Sequence, residues 1–320
     1  MKRFILLACA ALAVLALGAT SVSASTKVTG KTDSTKVTGK TDVCHRTGNG
    51  SFHVINVSVN AVPAHIAHGD GLPGGEVSGV PGSRFGANCG IVVVASCAAI
   101  RALEPTAGDG NYTIFAGRAF TVYCHDMAGT PKEYLTLVNT ASTANFSQYT
   151  AGGSSPGTNV RTSYTRVRLD PATLVIDTND QTFATSTGSL NHPGSGQVTS
   201  MPYGSAMSCQ GGPAGIGNVD LTGTPFTVAS TFSVAGFGAT GSVVPSSAGQ
   251  VVGLTGGGSC GWASLTGSFN PFNQNGLPMQ LAFLASTFGA STTTRDTTPR
   301  RSRFATQRHR LRELLALPTR

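Results

Sequence analysis

Ala119-Phe-Thr-Val-Tyr123 and Tyr134-Leu-Thr-Leu-Val138 are two short runs of β-branched and aromatic residues, separated by a stretch that contains Gly129 and Pro131. Runs of this kind, bounded by turn-forming residues, are typical of short β-strands. The pattern recurs across residues 91–290 and predicts roughly ten strands in this region. The remaining runs are residues 112–115, 165–169, 174–177, 219–221, 226–232, 243–244, 251–254 and 281–284.

The composition also favours a β fold. The chain has 41 glycines in 320 residues, and only 11% of its residues are charged. These values indicate short strands joined by many turns rather than long helices. Residues 96–103 have the best helix pattern, because Ile100 and Leu103 are three residues apart. We therefore predict a mostly β, disulfide-stapled, sandwich-like domain with one short helix near its start.

The first 24 residues have the features of a secretory signal peptide. Lys2 and Arg3 form a positive start, residues 5–19 are an apolar run, and Val22-Ser-Ala24 is a small-residue cleavage site. The run is shorter than the roughly 20 residues that span a bilayer. We therefore expect a secreted, extracellular protein with no stable membrane insertion after cleavage, and a retained anchor is the alternative. The leader looks bacterial.

Six cysteines remain after the leader is removed, and an even number in an exported protein predicts three disulfides. Counting alone leaves their connectivity open. Two of the six bracket residues 43–90, which makes a bond between those two the simplest pairing. The six are Cys44, Cys89, Cys97, Cys124, Cys209 and Cys260.

Three further segments accompany the body at residues 91–290. Residues 25–42 repeat a nine-residue polar unit, Ser-Thr-Lys-Val-Thr-Gly-Lys-Thr-Asp, which predicts a flexible spacer. Residues 43–90 form a small Cys/His module, and residues 291–320 are an Arg-rich tail predicted to be disordered. The leader and the tail together account for the net charge of +8, so the body is neutral. We therefore expect no nucleic-acid partner for the body.

Two stretches of the body, followed by two further motifs, carry a family resemblance. The first stretch contains Cys97-Ala-Ala-Ile-Arg-Ala-Leu-Glu-Pro, Asp109-Gly-Asn-Tyr-Thr-Ile and Phe120-Thr-Val-Tyr-Cys-His-Asp-Met. The second contains Pro131-Lys-Glu-Tyr-Leu-Thr-Leu and Asn145-Phe-Ser-Gln-Tyr. The further motifs are Tyr164-Thr-Arg-Val-Arg-Leu-Asp-Pro and Tyr203-Gly-Ser-Ala.

Together these residues resemble the GON domain, which ends some ADAMTS-family metalloproteases and also occurs in bacterial secreted proteins. The resemblance covers roughly Cys97 to Phe283. It implies a secreted or surface-associated binding or adhesion module whose partner is an extracellular protein or a polysaccharide.

The first stretch also resembles the start of fibrinogen-like domains, in which a Cys pairs with the Cys of a Val-Tyr-Cys-Asp-Met strand. This likeness implies a disulfide between Cys97 and Cys124, and it makes a fibrinogen-like lectin a further alternative. The Gly-Gly-Trp-Thr-Val block that should follow is missing, and the only tryptophan is Trp262. The GON domain is therefore the preferred interpretation.

The small module holds the candidate metal ligands, and it resembles a Cys- and His-containing unit at the front of bacterial secreted proteins. Pro63 is suited to open a short helix. His65 and His68 lie three residues apart on that helix and can share a face, with His45 and Asp70 nearby in sequence. Imidazole and carboxylate groups suit zinc. Zinc is thus the alternative to a polar cap of hydrogen-bonded histidines, and no cofactor is the default expectation.

Catalysis is not expected. The zinc site of the parent metalloproteases needs His-Glu-x-x-His, and no His in this chain is followed by Glu. The cysteines are expected to be consumed as disulfides rather than to act as nucleophiles. A metalloendopeptidase label would therefore follow only from family association.

Lys132-Glu133-Tyr134 is the cluster in the body that looks most functional. One interpretation is an exposed polar and aromatic contact for a ligand. The other is a buried Lys–Glu pair that organises the hairpin, with Tyr134 in the core.

Overall fold

The computed structural model describes residues 39–210, 212–273 and 277–285. The predicted signal peptide, most of the spacer and the basic tail lie outside these residues. The described chain is mostly β, holds three disulfides and has a short helix near the start of the body. The predicted fold class is confirmed. No helix among the described residues is long and apolar enough to cross a membrane.

The small module is built from two hairpins and a helix. Its first hairpin begins at Lys40, so the last residues of the predicted spacer belong to a strand. Its second hairpin ends beyond residue 90, inside the segment predicted to be the body. The buried apolar core is small and consists of Cys44, Val77, Phe85 and Cys89. The elements are β1 (Lys40–Arg46), β2 (Phe52–Ser58), α1 (Val62–Ala67), β3 (Ser83–Phe85) and β4 (Ile91–Val93).

A buried arginine joins this module to the body. Arg84 Nη1 donates to the carbonyl of Gly74 and to Glu104 Oε2, each at 2.6 Å. The guanidinium also lies 5.3 Å from the centre of the Tyr112 ring. A charge that is taken out of water must be paired and hydrogen-bonded, so this contact fixes β3 against the body.

The body contains two large antiparallel-rich sheets, a small hairpin and the predicted helix. Short 3-10 turns lie at Ser247–Gly249 and Pro271–Asn273 in the body, and at Val59–Ala61 in the small module. The elements are α2 (Cys97–Leu103), β5 (Gly110–Phe115), β6 (Ala119–His125), β7 (Lys132–Thr136), β8 (Phe146–Thr150), β9 (Val160–Tyr164), β10 (Arg166–Asp170), β11 (Val175–Asp177), β12 (Ala184–Thr187), β13 (Leu190–His192), β14 (Gly196–Val198), β15 (Ala206–Cys209), β16 (Gly215–Asp220), β17 (Phe226–Val228), β18 (Phe232–Ser246), β19 (Val251–Leu265) and β20 (Met279–Phe283).

The first sheet has the order β17-β20-β11-β10-β7-β6-β5. The second has the order β12-β9-β8-β15-β19-β16, and β18 pairs with the other side of β19. Strand β8 also pairs with β16. One apolar cluster joins the two sheets, because it contains Ile114, Leu169 and Ile176 from the first and Tyr164 and Val219 from the second. The result is the two-layer arrangement expected of a sandwich-like domain.

Helix α2 is held at its start by two side chains. The hydroxyl of Ser96 accepts from the N–H of Ala99 at 3.1 Å, as an N-cap does. Glu133 Oε1 accepts from the N–H of Cys97 at 2.7 Å. Cys97 and Ile100 face the core, and the disulfide from Cys97 fastens the helix to β6.

The disulfides pair Cys44 with Cys89, Cys97 with Cys124, and Cys209 with Cys260. The predicted number is confirmed, and the connectivity that counting left open is settled. The second bond is the one that the likeness to the start of fibrinogen-like domains implied. By the chain-entropy estimate, each bond contributes about 3.5 to 4 kcal/mol by restricting the unfolded chain, which suits a glycine-rich sheet protein.

Candidate functional site

One face of the hairpin formed by β18 and β19 carries a row of apolar side chains. In the register of this hairpin, Ala235 lies opposite Trp262 and Phe237 lies opposite Cys260. Alternate residues of a strand point to the same face. The pairing therefore brings these four side chains together, although the two members of each pair are more than 20 residues apart in the sequence.

This face forms the wall of an open groove of about 810 Å³. Phe237 and Phe269 project from it, with 80% and 69% of their surface exposed, whereas Trp262 is only 6% exposed. The rings of Trp262 and Phe269 meet edge to face with centroids 6.3 Å apart. The residues that line the groove are Ser154, His192, Pro193, Gln210, Ala235, Gly236, Phe237, Ser259, Cys260, Trp262, Ser268, Phe269 and Asn270.

The groove is electrically neutral. Its polar groups are hydroxyls, the amides of Gln210 and Asn270, and one imidazole, and no carboxylate, lysine or arginine is among its lining residues. Burial lowers the pKa of His192 below the usual range, so this ring is uncharged at neutral pH. Exposed aromatic rings in a concave surface are a common feature of binding sites, and the lining residues of this groove offer no charged group as a partner.

His192 is held by a network beneath the groove. Its Nδ1 lies 2.7 Å from the hydroxyl of Tyr149, which also lies 2.6 Å from the hydroxyl of Ser155 and 3.0 Å from Cys209 Sγ. The imidazole packs on Phe272 with a centroid separation of 4.1 Å. The network fixes one edge of the groove to the disulfide between Cys209 and Cys260.

Protonation of His192 is expected to destabilise the fold. Because burial depresses its pKa in the folded chain, the unfolded chain binds more protons below the usual histidine pKa of about 6.5. This contribution to stability is complete above about pH 6.5 and is lost as the pH falls through the depressed value. Urea unfolding at pH 7, 6 and 5 should show that the free energy of unfolding of the wild type falls with pH, and that it falls less steeply for His192→Gln. Equal slopes for the two proteins would contradict this account.

The structure places Lys132, Glu133 and Tyr134 on β7. Glu133 is buried and accepts from Cys97, as described above. Tyr134 is fully buried, with its hydroxyl 3.0 Å from Asp180 Oδ2 and 3.2 Å from Thr182 Oγ1. These two side chains are committed to the fold, as the second interpretation expected, although Glu133 pairs with a backbone N–H rather than with Lys132. A ligand-binding role for the cluster stays a prediction.

The candidate metal ligands of the small module are only partly brought together. His45 Nδ1 and His65 Nδ1 lie 2.8 Å and 2.7 Å from the same oxygen, Asp70 Oδ2. His68 is exposed and does not belong to the cluster. Helix α1 ends at Ala67, and the backbone of His68 is no longer helical, so the shared helical face predicted for His65 and His68 does not form.

The sequence contains two Gly-x-Ser-x-Gly pentapeptides, at residues 153–157 and 257–261, with Ser155 and Ser259 as their central serines. In hydrolases this spacing places a nucleophile between a strand and a helix. Ser155 is fully buried beside Tyr149, and Ser259 lies inside β19. Neither serine has the strand-to-helix context, so the structure gives no support to a serine nucleophile at either position.

The comparisons with known proteins agree with the resemblance described above. Neither a curated protein nor a solved structure matches the chain. The family description that does match is that of the GON domain, over residues 94–159 and 154–270. These two segments cover α2, most of both large sheets and the groove, and together they span more than half of the chain. The protein therefore belongs to the GON domain family, a family of extracellular-type domains.

Proposed function

We propose that this protein is a secreted binding module that recognises a neutral glycan in the groove between Phe237 and Phe269. The observation that carries the proposal is that these two exposed phenylalanine rings share one groove, because exposed apolar side chains that are grouped in a concave surface mark interaction sites. Aromatic rings also supply much of the contact energy of binding sites.

The chemistry of the rim favours a sugar over an apolar peptide. A pyranose ring offers an apolar C–H face to an aromatic ring and a circle of hydroxyls to polar neighbours. Gln210 and Asn270 offer amide donors and acceptors, and Ser154, Ser259 and Ser268 offer hydroxyls. A neutral groove gives no counter-charge for an acidic polysaccharide or a charged peptide, and this makes an uncharged glycan the best match.

Glycan and extracellular-protein arrays probed with the mature chain test the proposal. We expect binding to one or more uncharged polysaccharides, followed by a dissociation constant from calorimetry. Phe237→Ala and Phe269→Ala should each weaken binding by about tenfold, because each removes an aromatic contact worth more than about 1 kcal/mol.

Phe115→Ala is the matched control. Phe115 is also an exposed phenylalanine, 40% accessible on β5, but it does not line the groove. Its replacement should leave affinity within about twofold of the wild type. The proposal fails if no glycan binds, if a protein partner binds instead, or if the two groove variants bind as well as the Phe115 variant.

A further inference from the structure

Three groups of metal-ligand type converge in the small module, far from the groove in the sequence. His45 comes from β1, His65 from α1, and Asp70 from the turn that follows α1. One ligand atom from each lies within 4.8 Å of the others, with Asp70 Oδ2 at the centre. A single carboxylate oxygen thus faces two imidazole nitrogens, whereas in an ordinary His–Asp pair it faces one.

The backbone holds these three residues in place. Cys44 and Gly71 exchange backbone hydrogen bonds of 2.7 Å and 3.1 Å, which tie the residues next to His45 and Asp70 together. The N–H of Asp70 donates to the carbonyl of His65 at 3.1 Å. Cys44 is in addition cross-linked to Cys89. The site is therefore formed by the fold itself and not by mobile side chains that happen to meet.

The carboxylate of Asp70 is buried and held in one orientation. Its Oδ1 accepts from the N–H of Arg46 at 2.7 Å, which leaves Oδ2 to face the two imidazoles, and the Asp70 side chain is 2% exposed. The imidazoles are more accessible, 41% for His45 and 23% for His65, so a cation in solution can reach the site.

The module has only a small apolar core of its own. Its buried apolar cluster has four members, and one disulfide crosses it. Segments of about 50 residues seldom bury enough apolar surface to hold a fixed structure, and many rely on a metal or on further disulfides. A bound ion would supply the additional cross-link between β1 and α1.

We infer that His45, His65 and Asp70 bind one zinc ion, with water as the fourth ligand, and that this ion fastens α1 to the β1–β2 hairpin. Two neutral imidazoles and a carboxylate are a common zinc donor set. When zinc binds, each Nδ1 would bind the ion in place of its hydrogen bond to Asp70, and each neutral ring would carry its proton on Nε2. Tetrahedral bonds of about 2.0–2.2 Å separate ligand atoms by about 3.4 Å, so the side chains open by roughly half an ångström.

Zinc binding by the full mature chain, stripped with a chelator and then titrated with zinc chloride in a calorimeter, tests the inference. We expect one zinc per chain, and cobalt substituted for zinc should give the absorption of a tetrahedral site. His45→Ala and His65→Ala should each lower affinity by about 100-fold or more. His68→Ala removes an exposed histidine one residue past α1 and should leave affinity within about threefold.

Folding of the variants is checked separately, so that a lost site is not confused with a lost structure. Peptide mapping without reductant should find the Cys44–Cys89 bond intact in every variant. Zinc should raise the unfolding temperature of the wild type and of His68→Ala, but not that of the His45→Ala/His65→Ala double variant. The inference is overturned if the wild type binds no zinc at about 100 μM. It is also overturned if zinc stabilises the double variant, or if His68→Ala loses zinc affinity or the zinc-dependent rise in unfolding temperature.

Discussion

Replacing Asn145 with alanine is expected to lower the free energy of unfolding by about 4 kcal/mol. Asn145 is fully buried and directly precedes β8. Its Nδ2 donates to the carbonyls of Asn139 and Asp220 at 2.9 Å and 2.8 Å. Its Oδ1 accepts from the Tyr203 hydroxyl at 2.5 Å and from the N–H of Asp220 at 2.8 Å.

Alanine would remove all four hydrogen bonds at once. The Tyr203 hydroxyl and the Asp220 N–H would become buried donors without partners, and each such group costs about 1–3 kcal/mol. The backbone of Asn145 is in the left-handed region, with φ at 51°, where asparagine is tolerated better than alanine. Because Tyr203 packs on Tyr164 at 5.0 Å between ring centres, the damage reaches the core shared by the two sheets.

Urea unfolding measures the effect, and two milder variants test its origin. Tyr203→Phe removes one donor together with its need for a partner and should cost about 1 kcal/mol. Asn139→Ala removes a half-exposed side chain whose Nδ2 donates to Asp220 Oδ2, and its cost should also be about 1 kcal/mol. If Asn145→Ala destabilises no more than these two, the central role of the Asn145 amide is wrong.

The strands that the sequence predicted best belong to the first sheet. Strands β5, β6, β10 and β11 overlap runs of alternating or β-branched residues, and the pattern is visible because one face of each meets the core. Strand β8 was missed. Its sequence is Phe146-Ser-Gln-Tyr-Thr150, and all five residues are buried. Both of its faces are covered, so its polar side chains are satisfied by hydrogen bonds such as that from Gln148 to Thr150, and no alternation remains to be read.

Strand β19 shows a different limit. Only residues 251–254 of its 15 residues were predicted, because the following glycines and serine have low β propensity. The groove was missed for a related reason. Phe237 lines the same groove as Trp262 and Phe269 only when β18 pairs with β19, and this register cannot be read from a glycine-rich sequence. Trp262 entered the sequence analysis only because it is the single tryptophan and the Gly-Gly-Trp-Thr-Val block of fibrinogen-like domains is missing.

The cluster in the small module was predicted more closely. Proximity in the sequence was enough to suggest His45, His65 and Asp70, which a hairpin and one short helix can bring together. His68 was included on the assumption that the helix continues, and α1 ends one residue before it. The end of a six-residue helix is within the uncertainty of any boundary prediction, and here it decides which side chain joins the site.

Gly256→Ala is expected to destabilise the protein by at least about 3 kcal/mol. A Cβ at this position would lie 2.4 Å from the carbonyl oxygen of Ala206, 2.4 Å from the nitrogen of Ala263 and 2.7 Å from the carbonyl carbon of Trp262. Seven residues of a straight strand span about 23 Å, so a contact between residues 256 and 263 means that β19 folds sharply over itself. All three neighbours are backbone atoms, which cannot rotate away as a side chain does.

The same strand contains its own control. A Cβ at Gly253 would approach nothing closer than the Val244 carbonyl oxygen at 3.8 Å, which is ordinary contact. Gly253→Ala should therefore be neutral or stabilise by up to about 1 kcal/mol, because it restricts the unfolded chain. Trp262 is the only tryptophan of the chain and follows the bend directly, so its fluorescence during urea unfolding reports on both the fold and the groove. Equal midpoints for the two variants would show that the bend at Gly256 has room for a side chain, and that the position of Trp262 in the groove does not depend on a glycine there.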